Sequence, residues 1–360
     1  MTRSEFAERR QRASAAFGPR RIDALIVSSA PNVRYLTGFT GSAGMALLWQ
    51  GGASLFTDPR YAIQAAAEVD CAVRVVRGPL QVAVIAAAAR RRLRRLGFED
   101  GRLTSKTCRE IEAGLPLGAA LEPASGLIEA LRTVKSAGEI ERIRRSVDLN
   151  SQAFAQALAG LRPGMTESAL AAEIDYRMRL LGAERPAFDT IVAAGPRSAM
   201  PHAQPSSQTI RNNQLLLIDM GASREGYASD MTRMAFLGRP GRKVRDLYGA
   251  VLEAQLAAID AVRSGVTAGS VDRAARRVLR ARGLERAFVH STGHGLGLEI
   301  HEAPRLAKGV QTLLETGMAV TVEPGAYLEG FGGIRIEDTV VVTSSGCDVL
   351  TPTSKELLLV

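Results

Sequence analysis

Residues 288–302 read FVHSTGHGLGLEIHE, and this stretch holds three of the four histidines in a chain of 360 residues: His290, His294 and His301. Imidazole titrates near neutral pH and ligates transition metals in its neutral form. A histidine-poor chain that gathers its supply in one glycine-laced segment points to a metal or proton-transfer site. HSTGH has the histidine spacing of a zincin helix. However, the glutamate is absent and the glycines disfavour a helix, so a zincin reading fails.

Two other segments carry acids among apolar residues. In QLLLIDMGASREGYASDMTRMAF an apolar run leads into Asp219, a glycine-bearing turn follows, and Asp230 is expected on the return strand. In MAVTVEPGAYLEGFGGIRIEDTVVV, Glu323 closes a strand just before Pro324, and Glu337 sits inside a second strand-like run. A carboxylate at the end of a buried strand is costly unless it is paired or metal-bound. A single such acid would be explained by Arg233 or Arg335 as a partner. Two matched hairpins beside a histidine cluster are better explained by a site.

The set Asp219, Asp230, His294, Glu323 and Glu337 is hard and oxygen-rich. It suits Mn(II), Co(II) or Fe(II), and admits Zn(II). Four negative charges balance two divalent cations, the charge arithmetic of a dinuclear centre. Paired metals about 3.5–4 Å apart clamp the attacking and departing groups in hydrolysis.

The segments DMGASREGYASDMTR, HSTGHGLGLEIHE, VTVEPGAY and GGIRIEDT resemble the pita-bread metallopeptidases of the Xaa-Pro peptidase branch, which holds aminopeptidase P and prolidase. DALIVSSAPNVRYLTGFTGSAG resembles the creatinase-type N-terminal domain of that family, and LRTVKSAGEIERIRRSV resembles the junction. The resemblance implies that the five residues above bind two metal ions, with Mn(II) the first choice, and that Glu323 also shuttles a proton. It implies that His202 lines the pocket near the scissile group, that His290 and His301 contact substrate and stabilise the oxyanion, and that Arg335 pairs near Asp230. Thr232 and Thr339 would support the ligands, and Tyr227 would only pack. It further implies a small peptide substrate with proline second, and a homodimer or higher homo-oligomer. Dipeptidase and aminopeptidase share these motifs; Arg34 or Tyr35, in NVRYLTGF, could bind a dipeptide's free carboxylate.

These residues need a scaffold of two domains, the expectation for a chain of this length. The first third alternates apolar β-like runs with helical stretches, an α/β pattern. Within it, QVAVIAAAARRRLRR reads as an amphipathic helix ending in arginines, and LTGFTGSAG lacks the context of a phosphate loop. Near residue 136 the character changes: Ser136 with Glu139 has the spacing of a capping box that opens a long helix. Helices interleaved with strand pairs follow, an α+β pattern. The expected domains are 1–132, a creatinase-like α/β domain, and 133–360, the α+β pita-bread catalytic domain.

Apolar residues make up 46% and charged residues 23% of the chain, ordinary values for a globular protein. No apolar run reaches membrane-span length. The N-terminus lacks a signal-like apolar core and reads as a first helix of a cytoplasmic protein. Cys71, Cys108 and Cys347 are odd in number and far apart, which suits a reducing compartment. A net charge of +9 raises nucleic acid as a partner, but no recognition motif supports it. The rivals on the same fold are a metal-independent creatinase-like amidinohydrolase and a non-hydrolytic peptide-binding module. Both would be expected to have lost metal ligands, and here all five positions are intact.

Overall fold

The computed structural model describes residues 3–360, so Met1 and Thr2 of the expected first helix lie outside it; the described helix is Arg3–Ala15. The chain divides into two compact units, residues 1–132 and 133–360. No helix among the described residues is long and apolar enough to cross a membrane.

The first unit is built on a six-stranded sheet. Its strands are β1 (Ala24–Val27), β2 (Gly44–Trp49), β3 (Gly52–Thr57), β4 (Ala72–Val75), β5 (Arg95–Phe98) and β6 (Ala120–Pro123), in the order β4–β3–β2–β1–β5–β6. β1 is a run of four aliphatic residues and is buried throughout, as a central strand covered on both faces should be. β1, β5 and β6 run parallel, while β2 pairs antiparallel with its neighbours. The helix read from QVAVIAAAARRRLRR ends sooner than its composition suggests. It spans Leu80–Arg90, Arg92 turns left-handed at φ 56°, Leu93 N–H returns to Ala88 O, and Arg95 already opens β5. The arginine run is therefore divided between a helix end and a strand. Gly38, in LTGFTGSAG, ends helix Ala30–Thr37 at φ 81°, a helix-to-strand connection with no phosphate-loop geometry.

Tyr35, on that helix, is buried. Its ring lies 4.2 Å from the Arg9 guanidinium and its hydroxyl donates to Leu131 O at 3.3 Å. Those contacts make it a packing residue of the first unit and correct its candidacy as a carboxylate binder. Arg34, half-buried, precedes it on the same helix.

The second unit opens with helix Ala137–Leu158, and here the capping box forms as written. Ser136 Oγ accepts from Glu139 N–H at 3.3 Å and Glu139 Oε2 accepts from Ser136 N–H at 3.0 Å. Helix Glu167–Leu180 follows. Short strands β7 (Arg185–Pro186), β10 (Ala222–Arg224) and β11 (Tyr227–Ala228) make a small sheet, in which Tyr227 is buried and donates to Glu139 Oε1. A four-stranded sheet has the order β20–β12–β9–β8, with β8 Ile191–Ala194, β9 Gln214–Met220, β12 Met231–Leu237 and β20 Leu358–Leu359. A five-stranded sheet has the order β14–β13–β15–β18–β19, with β13 Gly293–Gly295, β14 Glu302–Leu306, β15 Ala319–Val322, β18 Asp338–Val342 and β19 Cys347–Val349. β16 (Gly325–Leu328) and β17 (Gly332–Arg335) pair separately as a hairpin nested between β15 and β18.

The period-2 pattern of β9 explains how an acid comes to sit in its core. Leu215 and Leu217 join helices Arg242–Ala261 and Ala268–Ala281 in one apolar cluster. Leu216, Ile218 and Met220 join helices Ala137–Leu158 and Glu167–Leu180 in another. Alternation places Asp219 on the Leu215–Leu217 face. There it stands opposite Thr232 of β12, where the apolar cluster gives way to polar groups.

Candidate active site

The four carboxylates sit at strand ends. Asp219 is the penultimate residue of β9, and Asp230 immediately precedes β12 rather than lying on it. Glu323 immediately follows β15, and Glu337 fills the break between β17 and β18. His294 is the middle residue of β13. All five line one cavity of about 600 Å³, and so do His202, His290, His301 and Arg335. The four histidines of the chain thus face a single space.

Nδ1 of His294 lies 3.0 Å from Gly295 O, which can only accept, so Nδ1 carries the proton and Nε2 presents a lone pair. That lone pair points at carboxylates: Nε2 is 3.4 Å from Glu323 Oε1 and 3.6 Å from Asp230 Oδ2. Burial holds the His294 pKa below the usual histidine value, which favours this neutral form. Donor atoms of Asp230, His294 and Glu337 lie within 4.8 Å of one another. The imidazole lone pair and the carboxylate oxygens therefore converge on one space.

Arg335 braces the opposite wall. Its Nη2 donates to Asp219 Oδ2 at 2.6 Å, Nε to Thr232 Oγ1 at 3.0 Å, and Nη1 to Tyr327 OH at 2.7 Å and Pro201 O at 3.2 Å. The pairing expected near Asp230 is made to Asp219 instead, because β17 brings the guanidinium to the end of β9. Thr232 Oγ1 donates in turn to Glu337 Oε2 at 2.7 Å. Thr339 Oγ1 donates to Asp230 O, and Thr321, its partner across β15 and β18, donates to Glu323 Oε1 at 3.2 Å.

His290 departs from its expected role as an oxyanion donor. Its Nδ1 faces Ser291 O at 2.8 Å and so carries the proton, while Nε2 accepts from Tyr327 OH at 2.8 Å. Burial, reinforced by the Arg335 charge, pushes its pKa down to about 4, so the ring is neutral at physiological pH with both nitrogens occupied. His301 is different: exposed and edge-on to His294, with ring centroids 4.4 Å apart, it keeps a face toward the cavity. Sequence reasoning passed over Tyr327. An aromatic residue in EPGAYLEG reads as core, and only the register of β16 on β17 brings its hydroxyl to Arg335.

Asp230 and Glu337 titrate well above the ordinary carboxylate range, through burial and the charges of their acidic neighbours. Glu323 is pushed up to about 7 by burial; the nearby Arg335 charge opposes this and Asp219 adds to it. One arginine thus serves four acids. Asp219 Oδ1 is buried with no hydrogen-bond partner, a state that costs free energy unless something electropositive fills it. The orphaned oxygen, the imidazole lone pair and the carboxylate-rich donor set together fit a divalent cation site.

Comparison with known proteins agrees with this geometry. The profile of metallopeptidase family M24 matches residues 141–344, and that of the creatinase/prolidase N-terminal domain matches residues 9–134. The solved structure of an Xaa-Pro dipeptidase from Bacillus anthracis is 38% identical and superposes with a TM-score of 0.96, covering 99% of this chain and 100% of that one. An X-Pro aminopeptidase from Thermotoga maritima MSB8 is 36% identical with a TM-score of 0.91, covering 96% and 100%. An Xaa-Pro dipeptidase from Pyrococcus horikoshii is 35% identical over 348 residues, 94% of this chain and 95% of its own. These similarities extend across both units, and the α/β plus pita-bread α+β architecture is common to them.

Proposed function

The chain belongs to metallopeptidase family M24, with a creatinase/prolidase N-terminal domain ahead of it, and from that premise we propose that it is a metal-dependent Xaa-Pro peptidase. The observation that carries the reading is the meeting of the His294 Nε2 lone pair with Asp230 and Glu323 oxygens at 3.6 and 3.4 Å. Asp219, Asp230, His294, Glu323 and Glu337 would hold two divalent cations, Mn(II) first among them, since four carboxylates balance two such charges. When bound, the cations supply Lewis-acid polarisation of the scissile carbonyl and acidify the attacking water.

The chain's own groups do the rest. Glu323 has Oε1 engaged by the Thr321 hydroxyl, which leaves Oε2 to take the water's proton and deliver it to the departing prolyl nitrogen. His301 donates to the developing oxyanion. His202, exposed on its loop, steadies the substrate beside the scissile bond. Phe188, Ile191 and Ile300 offer an apolar wall for the pyrrolidine ring.

A dipeptide is the favoured substrate. Arg335 is committed to Asp219, Tyr327 and Thr232, whereas Arg305 is exposed in the same cavity and faces His294 across β13 and β14. Arg305 can therefore receive a free carboxylate one residue past the scissile bond. The free, widely separated cysteines support a reducing, cytoplasmic setting.

The test is to strip the protein with a chelator, restore Mn(II) or Co(II), and compare an Xaa-Pro dipeptide with an Xaa-Pro-Xaa tripeptide. Metal-dependent cleavage that strongly favours the dipeptide over a slowly cut tripeptide is expected. Preferred cleavage of the tripeptide would make it an aminopeptidase. Failure on both, with no metal retained by elemental analysis, would end the peptidase reading.

A further inference from the structure

No side-chain hydrogen bond holds His202. Among the described residues its ring has no hydrogen-bond or ion-pair partner, and it is exposed. The backbone of the loop 195–206 therefore decides where this imidazole stands.

That loop is gathered at its base by one carboxylate. Glu167, the first residue of helix Glu167–Leu180, is wholly buried. Its Oε1 accepts from Ala194 N–H at 2.8 Å, where the loop leaves β8. Its Oε2 accepts from Ser206 N–H at 3.0 Å and Ser206 Oγ at 2.7 Å, where the loop returns. Arg197 Nε donates to both oxygens, at 3.1 and 3.0 Å, and its Nη2 reaches Gln204 O at 2.6 Å, two residues beyond His202. The far side is fastened to β17: Gly333 N–H donates to Ser198 Oγ at 2.9 Å and Arg335 Nη1 to Pro201 O. Both legs of the loop are thus tied to one buried charge, and the tip is tied to the guanidinium that holds Asp219.

We propose that Glu167, acting through Arg197 and Ser206, is a positioning residue that fixes His202 in the cavity. A buried carboxylate that accepts from both legs costs little while its donors are present, and it leaves them unpaired when it is changed. An acid at the first position of a helix has a simpler use, complementing the helix dipole. That use would not require the side chain to fold inward and accept from Ala194, Arg197 and Ser206. The contribution of His202 to turnover rests on the Xaa-Pro peptidase reading; the clamp itself does not.

The test is a double-mutant cycle. Glu167→Gln keeps the shape but turns an amide NH2 toward donors. It should lower kcat/KM on an Xaa-Pro dipeptide about 10- to 100-fold, the scale expected when a reacting group is displaced, while metal content is retained. Combined with His202→Ala, it should cost no more than His202→Ala alone, within about twofold. Losses that multiply would assign Glu167 a role separate from His202 and overturn the proposal.

A second readout needs no activity. With four histidines, each ring can be followed by NMR of histidine-labelled protein, and Glu167→Gln should shift or broaden the His202 signal while leaving that of His301 in place. An unmoved His202 signal in folded Glu167→Gln protein would also overturn the clamp. If the wild-type protein cleaves no Xaa-Pro peptide, the functional reading fails, and the NMR arm still decides the clamp. Should Glu167→Gln not fold, Ser206→Ala, which removes only one hydroxyl donor, carries the same two readouts.

Discussion

The hydroxyl of Tyr327 stands 2.8 Å from Nε2 of His290 and fills the nitrogen that would otherwise face the cavity. It also accepts from Arg335 at 2.7 Å, so a chain of hydrogen bonds runs from Asp219 through Arg335 and Tyr327 to His290. Tyr327→Phe removes the link and leaves a buried acceptor on His290. A hydrogen bond involving a charged partner is worth about 1.5–3 kcal/mol, so kcat should fall about tenfold or more while metal content holds. Because burial already pushes the His290 pKa down to about 4, the pH profile between 6 and 8 should keep its shape. An unchanged kcat would remove this chain from the mechanism.

Metal binding should stabilise the protein more as pH rises. The Glu323 carboxyl is raised to about 7 from 4.5 in the folded, cation-free site, and Asp230 and Glu337 are also raised well above the ordinary carboxylate range. A folded state that holds extra protons loses stability as pH climbs from the unfolded to the folded pKa. For Glu323 alone this is on the order of 3 kcal/mol between about pH 4.5 and 7. Scanning calorimetry of chelated protein should therefore give a Tm that declines from pH 5 to 8. The Tm gain on adding Mn(II) should be larger at pH 8 than at pH 5. A gain independent of pH would contradict these raised carboxyls.

The glycines around His294 are needed for close approach. A Cβ on Gly293 would lie 1.9 Å from Thr321 O, and one on Gly295 would lie 2.2 Å from Ala303 O. Either methyl would force β13 away from β15 or β14 and carry the imidazole with it. Gly295→Ala should lower metal affinity by at least about tenfold, the usual effect of disturbing what orients a ligand, read by titration of the stripped protein. Retention of wild-type affinity would mean that the strand absorbs the methyl without moving His294.

Arg305→Met separates the two peptidase types. Loss of a carboxylate partner at an open cavity should raise KM for Xaa-Pro dipeptides about tenfold, equivalent to roughly 1.4 kcal/mol, with kcat little changed. An Xaa-Pro-Xaa tripeptide, whose carboxylate lies farther out, should be unaffected. Equal effects on both substrates would give Arg305 a general role in place of carboxylate recognition.

The sequence was most informative where local rules operate. The capping box at Ser136 and Glu139 formed as spaced, and the acids stood out because each interrupts an apolar strand pattern. Contacts between elements distant in sequence were less legible. Arg335 pairs with Asp219 because β17 and β9, in different sheets, converge at one point, and no spacing rule records that. Nothing in EPGAYLEG marks Tyr327, and only the tight β16–β17 hairpin turns its hydroxyl toward a charge. His290 looked like a free donor until the carbonyl of Ser291 fixed its tautomer. Glu167 has no distinguishing spacing in the sequence, and its role is visible only in the loop 195–206 that folds over it.

Glu337 and Asp338 are adjacent carboxylates sent to opposite sides of one extended backbone. Glu337 turns to the cavity and Thr232. Asp338 turns the other way, to Arg233, Gln255 and Lys355. Extended chain alternates strictly, so one inserted or deleted residue between Gly332 and Val342 would swap the two acids. The cavity would receive a shorter carboxylate, and Arg233 and Lys355 would meet a longer one in place of Asp338. In lineages descended from this gene, length changes should collect in the turn 343–346 and be purged from the eleven positions before it, even where substitutions are tolerated.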